Sequence, residues 1–131
     1  MQINPYLQFS GNCAEALKFY ETALGANVAF RMTFGEAPEA PPPGWADKIM
    51  HASFTIQGSP LMASDTPPGF YQKPAGFRVS ISLTEPETAQ AWFNALAEGG
   101  SVEMPLQKTF WAVLFGMVTD RFGIPWMINC G

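Results

Sequence analysis

The chain has 131 residues, a length that predicts one domain with a hydrophobic core of its own. With 47% hydrophobic residues it is too apolar for a disordered chain, and with a net charge of −4 and only seven basic residues it lacks the positive surface that nucleic acids or anionic membranes require. No apolar run approaches the roughly 20 residues of a membrane-spanning helix, so we expect a soluble, cytoplasmic protein without nucleic-acid or membrane partners.

The beginning of the chain predicts a strand, a helix and a second strand. Residues 3–9 have the pattern of a strand, and Asn12 with Glu15 three residues later forms a capping-box pattern at the start of a helix. Apolar positions at helical spacing continue to Leu24, and Gly25 ends the helix. Residues 27–34 predict the next strand.

A segment rich in proline and alanine follows, from Gly35 to Asp47. Long loops inside compact domains often cover a site, but this segment could equally be a disordered loop. After it, residues 50–56 alternate as a half-buried strand does. A turn at 58–60 then leads into a short strand over 61–64.

The second half of the chain repeats this plan. Residues 77–83 alternate strictly, and Thr84 with Glu87 can cap a helix that runs to about Glu98 and ends at the glycines 99–100. The remaining strands are predicted near residues 101–108, 112–119 and 125–130.

Two pairs of matching segments indicate an internal duplication. Residues 58–62 and 123–127, which are 65 positions apart, both read G-x-P-x-M, and the apolar helix stripes at 16–20 and 89–93 occur in the same order. We therefore predict a single domain, 1–131, made of repeat one at about 1–65, a linker at about 66–75 and repeat two at about 76–131.

The alternating strands give each half two different faces. On strand 50–56 the apolar set is Met50, Ala52, Phe54 and Ile56, opposite His51, Ser53 and Thr55. On strand 77–83 the apolar set is Phe77, Val79, Ile81 and Leu83, opposite Arg78, Ser80 and Ser82. Two half-sheets that curl toward each other would enclose a pocket with mixed walls, as small-molecule sites have. The alternative is that the polar faces simply contact water.

Four segments, at 5–9, 51–52, 61–65 and 120–126, together with the repeated βαβββ plan, resemble the PhnB-like branch of the glyoxalase/bleomycin-resistance/dioxygenase (vicinal oxygen chelate) superfamily. The resemblance covers essentially the whole chain and implies an α+β fold of two βαβββ repeats that form a curved mixed sheet around a pocket. Proteins of this branch have carried a methyltransferase label, but no glycine-rich nucleotide turn follows a strand here.

The resemblance also implies where a divalent metal would bind, because enzymes of the superfamily take two ligands from each repeat. The first-strand positions fall on Pro5 and Arg78, and the last-strand positions fall on Met62 and Met127. Proline has no donor atom, arginine is cationic, and thioethers suit only soft ions. We therefore expect neither a metal at these positions nor another cofactor.

His51 is the only histidine and the one candidate catalytic residue, as a general base or as a hydrogen-bonding anchor for a ligand. Alternatively, neighbouring residues could satisfy the hydrogen-bonding groups of the imidazole, and His51 would then have no catalytic role. Arg78 could bind a carboxylate or phosphate, or pair with an acidic neighbour. The expected ligand-binding residues are Ser53, Arg78, Ser80, Met62, Trp126 and Met127.

These observations favour a homodimeric small-molecule-binding protein that lacks the family's metal. The alternative is an enzyme of the same superfamily, a lyase, isomerase or dioxygenase that depends on His51 or on a metal at other positions. A third possibility is a structural dimer that binds no ligand. The sequence does not identify a reaction.

Overall fold

The computed structural model describes all residues, 1–131, and its chain divides into two compact units, 1–72 and 73–131. Each unit contains one helix and one four-stranded sheet. The elements in chain order are β1 (Tyr6–Phe9), α1 (Cys13–Leu24), β2 (Asn27–Thr33), β3 (Ile49–Ile56), β4 (Ser59–Asp65), β5 (Val79–Leu83), α2 (Pro86–Ala97), β6 (Ser101–Gln107), β7 (Leu114–Thr119) and β8 (Pro125–Cys130).

The two sheets have the same topology, which confirms the predicted βαβββ duplication. Their strand orders are β1-β4-β3-β2 and β5-β8-β7-β6, and in each the first and last strands of the repeat pair in parallel while the other pairs are antiparallel. The hydrogen bonds thus form one four-stranded mixed sheet in each unit.

The core of the first unit forms where the apolar face of α1 meets the buried side chains of its sheet. Tyr20 of α1 stacks on Phe54 of β3 with ring centroids 6.1 Å apart, and both residues are almost completely buried. Gly25 ends α1 as predicted and takes the left-handed conformation, and its backbone N–H donates to the carbonyl of Tyr20.

The predicted capping box at the start of α1 is wrong. Asn12 makes no side-chain cap, and the carboxylate of Asp65, at the end of β4, instead accepts hydrogen bonds from the backbone N–H groups of Gly11 and Cys13 at 2.9 Å each. Its second oxygen accepts the N–H of Ile49 at 2.9 Å. A residue 52 positions from Cys13 therefore caps the helix, because the fold brings the end of β4 to it.

At its start, the second unit differs in two details from what the sequence predicts. Phe77 lies outside β5 and is 53% exposed, so it does not join the buried row with Val79. The helix α2 begins one residue later than a Thr84 cap would allow: Glu85 is the N-cap residue, and Pro86 takes the first helical position, where its missing N–H is harmless. Neither helix has the length and apolar character that a membrane crossing requires.

Candidate functional site

Each sheet has a buried face and an open face, and the candidate site residues lie mainly on the open faces. In the first unit, Tyr6, Met62, Ser53 and Phe30 occupy one row that crosses all four strands, because each is the register partner of the next. Direct cross-strand neighbours have Cβ atoms about 4.5–5.5 Å apart. The row therefore forms a continuous surface of two aromatic rings, a thioether and a hydroxyl.

His51 lies on the same face and is held there by aromatic neighbours. The hydroxyl of Tyr6 lies 3.0 Å from Nδ1 of His51, and the two rings are 5.7 Å apart. The Phe30 ring lies 6.2 Å from the imidazole on the other side. Because Nδ1 is engaged by Tyr6, Nε2 is the nitrogen left for a ligand, as donor or acceptor according to the tautomer.

A β-bulge beside His51 changes the predicted faces of β3. Met32 pairs with His51 and Thr33 pairs with Ile49, so Met50 is an extra residue on this strand. As a result Ile49 is buried at 1% exposure, whereas Met50 is only half-buried. The prediction that Met50 continues the buried row of Ala52, Phe54 and Ile56 is therefore wrong at this one position.

In the second unit, the corresponding row is formed by Ser80, Met127, Met117 and Met104, again in direct register across the sheet. Ser80 is exposed, and the three methionines are half-buried. Methionine side chains are flexible and polarizable, so a surface of this kind adapts to apolar groups of different shapes.

A cleft of about 510 Å³ lies next to this row and lies wholly within the second unit. Its walls include Arg78, Met117, Thr119 and Met127, together with the exposed Phe77. A volume of this size is within the usual range for sites that bind small organic molecules.

Arg78 is the cationic group of the cleft, and it is held by two bonds. Its Nη1 donates to Oε1 of Glu103 at 3.0 Å and to the backbone carbonyl of Trp126 at 3.2 Å. Glu103 also accepts a hydrogen bond from the Thr119 hydroxyl. Arg78 thus pairs with an acidic neighbour, which was one of the two alternatives from sequence, and because both bonds use Nη1, the Nη2 and Nε groups are left to donate to a ligand.

Trp126 does not belong with the other expected ligand-binding residues. It is completely buried, and its indole N–H donates to Oδ2 of Asp120 at 2.8 Å. Asp120 also accepts the N–H groups of Phe122 and Ile124, so its carboxylate holds the turn before β8. Alternation along β8 places Met127 on the open face and Trp126 in the core, so we remove Trp126 from the site.

The register also corrects the correspondence between the two repeats, by one residue in the first repeat and by two in the second. Met62 has Tyr6 as its partner on the first strand, and Met127 has Ser80, where the sequence comparison selected Pro5 and Arg78. None of Tyr6, Met62, Ser80 and Met127 is a histidine, a cysteine or a carboxylate residue. No group of three or more His, Cys, Asp or Glu side chains converges anywhere in the structure.

The sequence analysis did not identify Tyr6, Phe30 and Met117 as site residues. They become neighbours of the predicted residues Met62, Ser53 and Met127 only through the cross-strand register. Tyr6 alternates with the buried Leu7 and Phe9, a pattern that could have placed it on the open face. Phe30 follows a register shift within β2, so simple alternation along this strand does not predict which face of the sheet Phe30 lies on. No sequence signal indicated that Tyr6 and Phe30 border the same histidine.

Comparison with known proteins agrees with this architecture. The family model described as Glyoxalase/Bleomycin resistance protein/Dioxygenase superfamily matches residues 2–128. Protein YjdN of Escherichia coli (strain K12) is 40% identical, over 98% of this chain and 95% of its own length.

Two solved structures are similar over their whole length. Protein PA1353 from Pseudomonas aeruginosa is 50% identical with a TM-score of 0.91, over 99% of this chain and 97% of that one. A PhnB protein from Bacillus cereus is 25% identical with a TM-score of 0.82, over 100% of both chains. The chain belongs to the glyoxalase/bleomycin-resistance/dioxygenase superfamily, in its PhnB-like branch.

Proposed function

We propose that this protein binds a small organic molecule without a metal at the family's usual ligand positions. The observation that carries the proposal is the identity of the residues at those positions: Tyr6 beside Met62, and Ser80 beside Met127. Two thioethers, a phenol and a hydroxyl make a poor ligand set for the divalent ions that histidine and carboxylate bind.

The two open faces suggest what kinds of group such a molecule would carry. In the second unit, the free guanidinium donors of Arg78 favour an anionic group, and Met117 and Met127 favour an apolar body beside it. In the first unit, Tyr6 and Phe30 offer aromatic surface around the Nε2 of His51. Ser53 and Ser80 add hydroxyls that can donate or accept.

The proposal includes two expectations that concern the protein's setting. We expect a homodimer, because only 14% of residues are charged and several large apolar side chains, among them Phe110 and Trp111, are exposed. We also expect a cytoplasmic location. Light scattering at micromolar concentration tests the first expectation, and a monomer mass would contradict it.

Metal content and thermal stability of the untagged protein test the proposal directly. A molecule or ion that binds only the folded state raises its apparent stability by mass action. We expect no retained metal and no stabilisation by Zn, Mn, Ni or Fe(II), while a screen of small organic anions with apolar bodies yields ligands that do stabilise the protein. One metal per chain, together with a thermal shift, would overturn the proposal.

A second candidate is an enzyme of the same superfamily in which His51 acts as general base. The contact with Tyr6 favours it in the tautomer whose Nδ1–H donates to the phenol oxygen, because the imidazole is then held in one orientation and Nε2 keeps a lone pair to accept a proton. In any reaction found for the protein, His51→Ala would abolish turnover, and Asn27→Ala, at an exposed position of β2 outside the binding row, would leave most of it. Unchanged turnover in His51→Ala would remove this candidate.

A further inference from the structure

The proline- and alanine-rich segment between β2 and β3 encloses a second pocket, of about 460 Å³, within the first unit. We name it the proline pocket; its walls are Phe34, Ala37, Pro38, Glu39, Ala40, Pro41, Pro42 and Met50. It shares no residue with the row of Tyr6, Met62, Ser53 and Phe30 or with the cleft of Arg78.

Specific contacts hold the base of this segment. The backbone N–H of Phe34 donates to the carbonyl of Lys48 at 2.9 Å, and that of Gly35 donates to the carbonyl of Ala46 at 2.8 Å. The Phe34 and Trp45 rings meet edge to face at 5.7 Å. A Cβ on residue 35 would lie 2.8 Å from the Ala46 carbonyl oxygen, so this close approach requires glycine.

A one-turn 3-10 helix, Phe34–Glu36, forms the start of the chain segment that lines the pocket. The carboxylate of Glu36 accepts hydrogen bonds from the backbone N–H of Thr33 at 2.8 Å and from its hydroxyl at 3.0 Å. These two bonds lower the pKa of Glu36 below its usual value. Glu36 is thus engaged with Thr33, which leaves Glu39 as the acidic side chain available to the pocket.

The lining of the pocket defines what it can hold. Seven of its eight residues are apolar, and the one titratable group is the carboxylate of Glu39. The Phe34 ring and the Met50 thioether are both groups that pack favourably against the aromatic ring of a ligand. Because prolines have a fixed φ, their surface loses little conformational entropy when a ligand binds.

Charge decides between classes of ligand. No lysine, arginine or histidine lines the proline pocket, so a carboxylate or phosphate would find no partner and would meet Glu39 as a like charge. An ammonium group at the rim would pair with that carboxylate while its apolar body fills the interior. The preference is opposite to that of the cleft, where Arg78 favours anions.

We propose that the proline pocket is a binding site for aromatic ammonium compounds. The bulge on β3 is part of this site, because it turns Met50 out of the buried row and makes it a wall of the pocket. The site does not depend on the function proposed for the open faces, and each can fail without the other.

Methionine-methyl NMR tests the proposal, because the methionines report on separate surfaces. Met50 reports on the proline pocket, Met62 on the row of the first unit, and Met117 and Met127 on the cleft. The probes are 2-naphthylmethylamine, which is cationic at pH 7, and 2-naphthylacetate, which has a similar shape and is anionic. Met50→Leu assigns the Met50 signal.

We expect the amine to shift the Met50 methyl signal saturably and to bind more tightly than the acid. Glu39→Gln should weaken amine binding roughly two- to fivefold, the range for an exposed ion pair. Glu21→Gln, which makes the same charge change on an exposed position of α1, should not weaken it. Both substitutions replace exposed side chains, so the variants are expected to fold.

Three results would overturn the proposal. The first is a Met50 signal that does not shift at the solubility limit of the amine. The second is binding of the acid as tight as that of the amine. The third is an equal effect of Glu39→Gln and Glu21→Gln, which would mean that net charge rather than the pocket attracts the amine. As a check on shape, Ala37→Leu should weaken amine binding by filling the pocket.

Discussion

The hydroxyl of Tyr6 lies 3.0 Å from Nδ1 of His51, although the two residues are 45 positions apart in the chain. The contact crosses the sheet from β1 to β3, with β4 between them. It joins the only histidine of the chain to an aromatic residue that is itself 41% exposed. An imidazole fixed in this way presents Nε2 in one direction, which is useful both to a binding site and to a catalyst.

We expect Tyr6→Phe to free the His51 ring while changing stability little. The lost bond is exposed, so the free energy of unfolding should fall by only about 0.5–1 kcal/mol. Carbon-13 relaxation of His51 Cε1, a resonance without overlap from other histidines, should show larger ring motion in the variant. Tyr71→Phe is the matched control. Equal ring order in all three proteins would show that packing, not the hydroxyl, holds His51.

We expect Glu103→Gln to strengthen the binding of anions in the cleft of the second unit. Glu103 neutralises Arg78 at 3.0 Å, and the side chains of this pair are 23% and 34% exposed, so its removal should lower stability by less than about 1 kcal/mol. Titration with inorganic phosphate, followed at the Arg78 Nε signal, should give severalfold tighter binding in the variant. Glu21→Gln controls for net charge, and unchanged phosphate affinity would contradict the expectation.

The sequence predicted the elements of this fold well because short-range patterns determine them. Alternation identified β3 and β5, helical spacing identified α1, and Gly25 marked its end. The duplication was also visible, because equivalent turns require the same G-x-P-x-M residues at 58–62 and 123–127.

The errors arose where tertiary structure overrides a local pattern. The cap of α1 comes from Asp65 rather than Asn12, since a buried carboxylate at the end of β4 can accept several N–H groups at once. The bulge at Met50 shifts one residue of an otherwise correct alternation. Trp126 and Met127 were both predicted to bind a ligand, but alternation along β8 places Trp126 in the core and leaves only Met127 on the open face. The contact of Tyr6 with His51 was also not predicted, because it depends on the cross-strand register, which a single sequence does not reveal.

We expect Asp65→Asn to destabilise the first unit by about 2–4 kcal/mol. The carboxylate accepts three backbone N–H groups, and an amide oxygen can replace only part of these bonds while its NH₂ group faces another donor. Urea unfolding followed by circular dichroism measures the loss. Asp47→Asn, at an exposed position, should change stability by less than about 0.5 kcal/mol. Similar stabilities of the two variants would contradict the role assigned to Asp65.

We expect Cys13 to make the protein less stable at alkaline pH. Burial, with a smaller contribution from the negative charge of Asp65, raises the pKa of this thiol from 9.0 to about 12. Between these values the unfolded chain releases a proton that the folded chain retains, so the free energy of unfolding should fall by up to about 1.4 kcal/mol per pH unit. Below pH 9 both states hold the proton and the effect vanishes.

Cys13→Ala separates this effect from the other groups that titrate above pH 9. The variant should be less stable than the wild type at neutral pH, because it leaves a small cavity at a fully buried position, but its stability should fall less steeply between pH 9 and pH 11. Iodoacetamide labelling gives a second measurement: at pH 8 the folded protein should react at Cys13 far more slowly than the protein in urea. Parallel pH profiles for wild type and variant, or rapid labelling of the folded protein, would show that this thiol is not held protonated by the fold.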